Sequence, residues 1–369
     1  MNVPTHGGNL VWAAQIAACS PHALLDFSAS INPLGMPDSA AQALQSALST
    51  LTTYPDPSYT HLKQAIASHH QIDPDWILPG NGAAELLTWA CRDLAAQKAT
   101  YLITPAFADY DRALRAARAK VRRCPLASPD WPLLQVPGLP KLLTSQSAIP
   151  QDYGILLNNP HNPTGQLIDA GDLKTQILDN PYYRLVVIDE AFMDFLPIDR
   201  QHSLISLVAD YPQLIILRSL TKFYAIPGLR LGYAIAHPDR FKQWQTWRDP
   251  WSVNTLAARV GEVVLGDRNF QTQTYAWLET AQPKLKTDLA QIPGLVIYPS
   301  CVNFLLVRSP VPVPALQAQL LKKHQIYIRD CLSFAELGEF YFRIAVRTIE
   351  ENDRLVEALR EMLRDFAVS

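Results

Sequence analysis

Cysteine is scarce and unpatterned in this chain. Five are present, Cys19, Cys91, Cys124, Cys301 and Cys331, an odd number with no CxxC pair. That excludes a disulfide framework and predicts reduced, mostly buried thiols in a cytoplasmic protein, with no metal site. Charge of one sign is lacking too. The 32 basic and 34 acidic residues give a net charge of −2, with no charge run and no basic stripe. Neither nucleic acid nor an anionic membrane is therefore expected as a partner. No apolar run reaches the ~18 residues needed to span a bilayer. The opening MNVPTHGGNL lacks the basic and apolar pattern of a signal peptide. There is no internal repeat and no low-complexity tail.

What is present is an ordinary globular composition. The 369 residues are 48% hydrophobic and 18% charged, enough to bury a large core. The 29 prolines concentrate in loops, most densely between Pro125 and Pro150. The stretch ASPDWPLLQVPGLPKLLTSQSAIPQ predicts a long connection with at most a short helix.

Short apolar runs alternate with helical patterns through the middle of the chain. TYLIT (100–104), GILLNN (154–159), RLVVIDE (184–190), LIILRS (214–219) and GYAIA (232–236) read as strands. They lack polar alternation, which fits parallel strands covered on both faces. Helix candidates lie between them at 83–96, 107–118 and 169–179, and this rhythm predicts a doubly wound α/β sheet. After Trp251 the pattern changes. Residues 254–290 are mostly helical, and LVIYP (295–299), NFLLVR (303–308), IYIR (326–329) and FRIAV (342–346) are shorter strands. An amphipathic helix over 349–366 follows. The expected organisation is a large α/β domain over 50–250. A smaller α+β domain is built from 1–49 and 251–369.

The stretch SLTKFYAIPGLRLGY, 219–233, carries the strongest chemical signal. Lys222 follows Ser219 by three residues and precedes Arg230 by eight. A lysine beside Ser219, Thr221 and Arg230 suits covalent attachment of pyridoxal phosphate, with hydroxyls and guanidinium on the phosphate dianion. Asp189 ends the apolar strand RLVVIDE, at the edge where α/β sheets bind ligands. There a carboxylate would keep a pyridine nitrogen protonated. Taken alone, the same acid reads as a helix cap. GNGAAEL (80–86) opens with a glycine turn and runs into a helix, so Gly82, Ala83 and Ala84 would offer N–H groups to a phosphate. Asn162 in NNPHNPTG and Phe107 in TPAF read, by themselves, as turn and core residues.

These strings together resemble fold-type I pyridoxal-phosphate enzymes, the aspartate aminotransferase superfamily. The resemblance implies that Asn162 binds the phenolic O3′ of the cofactor and that Phe107 stacks on its ring. It implies that Arg343, in YFRIAV, binds the substrate carboxylate. Within the superfamily, HGGN (6–9), LLDFSASINPLGMP (24–37), YPDPSYTHL (54–62), DEAF (189–192) and PWSVN (250–254) look like the threonine-phosphate decarboxylase branch. That branch implies loss of CO2 from L-threonine O-3-phosphate to give (R)-1-amino-2-propanol O-2-phosphate, for cobalamin biosynthesis. It implies substrate contacts from His6, Gly8, Asn32 and Arg329. It also implies a homodimer in which Tyr54 reaches the neighbouring site. Taken alone, the residues near His6 read as a mobile tail and Asn32 as a turn residue.

Two other functions use the same groups. A histidinol-phosphate aminotransferase would carry tyrosine where this chain has Phe192. A non-enzymatic pyridoxal-phosphate-sensing module would add a DNA-binding segment, and no basic helix-turn-helix segment is present. The choice between decarboxylation and transamination depends on which Cα bond the arginines hold perpendicular to the cofactor ring. The sequence supplies the groups and the resemblance supplies the reaction.

Overall fold

The apolar runs of the middle third become one seven-stranded sheet in a computed structural model, which describes residues 4–126 and 152–368. The proline-rich connection expected over 127–151 lies outside the described residues. In chain order the strands are β1 (Leu25–Asp26), β2 (Ile77–Asn81), β3 (Ala99–Thr104), β4 (Val121–Pro125), β5 (Tyr153–Asn158), β6 (Tyr183–Asp189), β7 (Leu214–Ser219) and β8 (Leu231–Ala236). Then come β9 (Val296–Ile297), β10 (Phe304–Arg308), β11 (Ile326–Tyr327), β12 (Arg329–Asp330) and β13 (Tyr341–Ala345). The large sheet runs β2-β8-β7-β6-β5-β3-β4. Strands β3 to β7 pair in parallel. Every residue of β3, β5 and β7 is buried, as expected of strands with helices on both faces.

One reading of the sequence needs correction here. Strand β8 is antiparallel to both of its neighbours, β7 and β2. An apolar run reports burial on both faces but not direction, so GYAIA looked like its parallel relatives. The helix expected over 169–179 is present, α-helical over Ala170–Leu173 and continued without a break by a π-helical turn, Lys174–Leu178.

The principal helices are α1 (Leu10–Ala17), α2 (Asp38–Ala47), α3 (Thr60–His70), α4 (Ala83–Ala95) and α5 (Ala108–Ala116). After the short α6 (Ala170–Leu173) come α7 (Pro238–Gln245), α8 (Thr255–Val264), α9 (Arg268–Ala290), α10 (Val313–His324) and α11 (Ile349–Val368). Residues 254–290 are thus two helices, each started by a side-chain cap. Asn254 accepts from the Ala257 N–H at 2.9 Å and Asp267 from the Phe270 N–H at 3.0 Å. A second sheet, β12-β13-β10-β9, is antiparallel throughout. Strand β1 pairs with β11, so a segment from the start of the chain is stitched beside this sheet. Among the described residues no helix is long and apolar enough to cross a membrane.

Candidate active site

Three neighbouring parallel strands end at one edge of the large sheet. β5 ends at Asn158, β6 at Asp189 and β7 at Ser219, and Asn158 and Asp189 are register partners. The chain turns away beyond each strand, leaving a cleft that the second sheet closes from the other side. A cavity of 210 Å³ lies there, with Lys222, Asp189, Asn162, Phe107, His6 and Arg343 in its wall. Residues up to 337 positions apart in sequence, His6 to Arg343, face one volume.

Lys222 stands in the cavity wall between a hydroxyl and an aromatic ring. Its Nζ donates to Ser219 Oγ at 3.3 Å and lies 5.0 Å from the Phe192 ring centre. Burial pushes the amine down to about 8, with Arg230 and Arg343 pushing the same way and Asp189 opposing them. A substantial neutral fraction is therefore present near pH 8. Asp189 is held from two sides: Oδ2 accepts from the Tyr110 hydroxyl at 2.7 Å and Oδ1 from the Ala191 N–H at 2.9 Å. Burial raises its pKa, while the Lys222 charge and these two donors work to keep it ionised.

The opposite wall is basic. Arg343, on β13, donates to Asn162 Oδ1 at 2.5 Å and to the Ser28 carbonyl at 3.3 Å, and its buried Nε has no partner. Burial pushes this guanidinium down to about 10, helped by the positive charge of Arg329. Arg329 is the register partner of Arg343 on β12, but its donors point to the N-terminal segment. It donates to the Pro4 carbonyl at 3.2 Å, to the Thr5 carbonyl and to Ser333 Oγ at 2.6 Å. The segment is anchored further by the Gly8 N–H, which donates to Ser28 Oγ at 2.7 Å. Gly7 lies so close to Ser28 that a Cβ there would meet the Ser28 carbonyl oxygen at 2.3 Å. Asn9 then caps α1, accepting from the Trp12 N–H at 3.1 Å. The HGGN string is thus a fitted strap rather than a loose tail. It carries the His6 ring to 5.3 Å from that of Phe107, with burial lowering the His6 pKa.

A phosphate-sized cradle adjoins the lysine. Ser219 and Thr221 are buried with their hydroxyls 2.8 Å apart. Gly82 precedes α4 with a φ of +73°, and a Cβ on it would sit 2.5 Å from an Arg230 guanidinium nitrogen. Glycine is required there for both reasons. The guanidinium is thereby held at the N-terminus formed by Ala83 and Ala84, where backbone N–H groups and the helix dipole favour an anion. This donor set fits pyridoxal phosphate: a depressed lysine amine, a buried carboxylate and an arginine beside a helix start.

Of the residues expected at the substrate, Gly8, Asn32, Tyr54 and Arg329 do not line this cavity. Asn32 donates through Nδ2 to the Phe223 carbonyl and to Thr274 Oγ1, both at 2.8 Å, and its Oδ1 accepts from the Leu34 N–H at 3.1 Å. Its own N–H donates to the Lys222 carbonyl at 3.0 Å, so it brackets the lysine loop. Tyr54 is 79% exposed and its ring packs on Trp251, with ring centres 4.6 Å apart. Arg347 pairs with Glu351 at 2.9 Å and donates to the Asp26 carbonyl at 3.1 Å. The sequence reading missed Tyr110, Ser28 and Asn158, all in the cavity wall. For Tyr110 a signal existed: it follows Phe107 by three residues, one helical turn.

Residues 23–359 match the family profile of aminotransferase class I and II. The chain is 40% identical to a threonine-phosphate decarboxylase of Salmonella typhimurium, over 98% of this chain and 97% of that one. It is 31% identical to a histidinol-phosphate aminotransferase of Symbiobacterium thermophilum, over 93% of this chain and 91% of that one. The solved histidinol-phosphate aminotransferase of Clostridium acetobutylicum superposes with a TM-score of 0.82 at 25% identity, covering 93% of this chain and all of that one. The motifs, the sheet topology and the lysine-centred cavity agree with these likenesses: the chain belongs to the class I and II aminotransferase family, and within it to the threonine-phosphate decarboxylases.

Proposed function

We propose that this chain is a pyridoxal-phosphate-dependent lyase that removes CO2 from L-threonine O-3-phosphate. The observation that carries the reading is the 40% identity, over nearly the full length of both chains, to a protein named threonine-phosphate decarboxylase. The cofactor, when bound, supplies an electron sink for the pair left on Cα as the bond to the carboxyl carbon breaks. Lys222 attaches the cofactor and afterwards carries a proton at Cα, a role suited to an amine titrating near 8. Asp189 holds the proton on the pyridine nitrogen. Asn162 meets the phenolic oxygen and Phe107 covers the ring. Gly82, Ala83, Ala84, Ser219, Thr221 and Arg230 take the cofactor phosphate. Arg343 grips the substrate carboxylate: it is planar, buried and short of partners on this chain. His6, Gly8 and Arg329 serve the substrate phosphate, and Arg329 reaches it by giving up the carbonyls of Pro4 and Thr5.

Phe192 sets this reading against transamination. Its ring stands 5.0 Å from the Lys222 amine without a hydroxyl to offer O3′. The test is incubation with L-threonine phosphate, with and without 2-oxoglutarate. CO2 released at equal rates, with no glutamate, is the expected result. A keto acid and glutamate as main products would make the chain an aminotransferase. We further propose a cytoplasmic homodimer. The support is the set of five free cysteines and the exposed pair Tyr54 and Trp251. Mixing inactive Lys222→Ala and Tyr54→Ala proteins should restore activity in hybrid dimers, where one site carries both defects and the other neither.

A further inference from the structure

We propose that Tyr110 is a positioning residue whose hydroxyl aims the Asp189 carboxylate at the pyridine nitrogen and keeps it ionised. The inference rests on the reading of Asp189 given above. Tyr110 lies in the first turn of α5, is 2% exposed and meets the Phe107 ring edge-on with centres 5.7 Å apart. Its Oη donates to Asp189 Oδ2 at 2.7 Å, while the Ala191 N–H occupies Oδ1. The carboxylate is therefore fixed by two elements, the turn after β6 and the start of α5. Each oxygen keeps a further acceptor direction for a ligand N–H.

The need for this donor is electrostatic. Burial pushes Asp189 toward its neutral form and Asp109 adds repulsion. A neutral acid would no longer hold a proton on a ring nitrogen. The charge of Lys222 opposes the shift, but that amine loses its proton near pH 8. Tyr110 gives help that does not depend on the lysine's proton. Its own proton is secure, because burial and the adjacent carboxylate push the phenol well above its ordinary range. Core packing alone does not explain the residue. Phenylalanine would serve equally in the apolar cluster that holds Tyr110 with Leu86, Ala90, Cys91 and Leu114, and a buried phenol without its acceptor would cost stability.

The test uses the holoenzyme loaded with pyridoxal phosphate labelled with nitrogen-15 in the ring, without substrate. In Tyr110→Phe the ring-nitrogen resonance should move toward that of an unprotonated pyridine. The cofactor dissociation constant should rise about tenfold and kcat fall about 10- to 100-fold, with KM unchanged, as for loss of one charge-assisted hydrogen bond. Tyr233→Phe is the control: it deletes an equally buried hydroxyl, paired with His70 at 2.7 Å outside the site, and should do none of this. Asp189→Asn sets the full displacement. A wild-type resonance in Tyr110→Phe beside a displaced one in Asp189→Asn overturns the proposal. No displacement in Asp189→Asn overturns the reading of Asp189 itself, and this proposal with it.

Discussion

Of the buried arginines, Arg218 and Arg343 make the sharpest contrast, because only the first is ringed by carboxylates. Arg218, on β7, sits 2.9 Å from Glu190 and 2.6 Å from Asp194, with Gln201 and Ser203 completing its shell. Burial alone would lower its pKa, yet the two acids raise it, so its charge is fixed. Arg343, on β13, has an amide oxygen, a backbone carbonyl and an unpartnered Nε. Among the described residues no carboxylate pairs with it. Burial and Arg329 push it down to about 10. A buried cation surrounded by its own acids belongs to the fold. One left with neutral partners beside a cavity is poised for an anion the chain does not supply. The contrast also separates adjacent residues: Asp189 lines the cavity, while its neighbour Glu190 pairs with Arg218.

The contrast is broken most directly by removing each arginine. Arg218→Met leaves Glu190 and Asp194 buried without a counter-charge, which should cost about 3–5 kcal/mol of stability. Denaturant melts of the apoprotein measure it, and KM should hardly move. Arg343→Gln should do the reverse. The melt should stay within about 1 kcal/mol, while kcat/KM for the phosphorylated amino acid drops ~10²–10³-fold, the size expected for losing a buried carboxylate contact. If the two variants exchanged these patterns, the assignment of one arginine to the fold and the other to the ligand would be wrong.

None of that difference was legible in the sequence. RSLTK and YFRIAV each place an arginine in an apolar run, and the carboxylates that separate them come from elsewhere in the chain, at 190 and 194. The sheet was legible where apolar runs were unbroken, at β3, β5, β6 and β7. Strand β2 escaped because Pro79 and Gly80 sit inside it, and β4 because it is an edge strand with exposed Arg122 and Arg123. IYIR split into β11 and β12, which join different sheets at residue 328. Lys222, Asp189, Asn162 and Arg343 were nominated because each stands in a recognisable string. Tyr110 and Asn158 were not, since a hydroxyl or amide gains meaning only from the atom it faces. The partners of Asn32 were not legible either. Its motif neighbours the site, but its partners, Phe223 and Thr274, lie far along the chain.

Lys222 sharpens the contrast as another cation, in the wall of the cavity. Its amine falls from the usual 10.5 to about 8. The sign is that of a base whose protonated form the fold disfavours. Below pH 8 both folded and unfolded lysines are charged and the cost is complete. Between about 8 and 10.5 only the unfolded chain keeps the proton, so the apoprotein gains stability as pH rises through that window. The same titration governs capture of pyridoxal phosphate. Its rate should rise about tenfold per pH unit well below 8 and level off above it, as the neutral fraction saturates. Stopped-flow absorbance of the apoprotein would record this. A flat profile between pH 6 and 8, or a plateau only near pH 10, would place the amine outside the influence of the burial described.

The smallest effect tests the border between fold and ligand at Asn32. Its side chain is satisfied three times over by Phe223, Thr274 and Leu34, and its N–H holds the carbonyl of Lys222. Every one of those partners is part of the chain, so by the rule drawn from the two arginines Asn32 belongs to the fold. Asn32→Ala removes the side-chain bonds but keeps the backbone one. The loss should be about 1–2 kcal/mol of stability, with the Phe223 carbonyl left unpaired as the main cost. KM for threonine phosphate should stay within about twofold, because no atom facing the substrate is lost. A small fall in kcat is compatible with a looser lysine loop. A tenfold rise in KM at unchanged stability would return Asn32 to the substrate side, and would mean that the cavity extends past the lysine loop when it is filled.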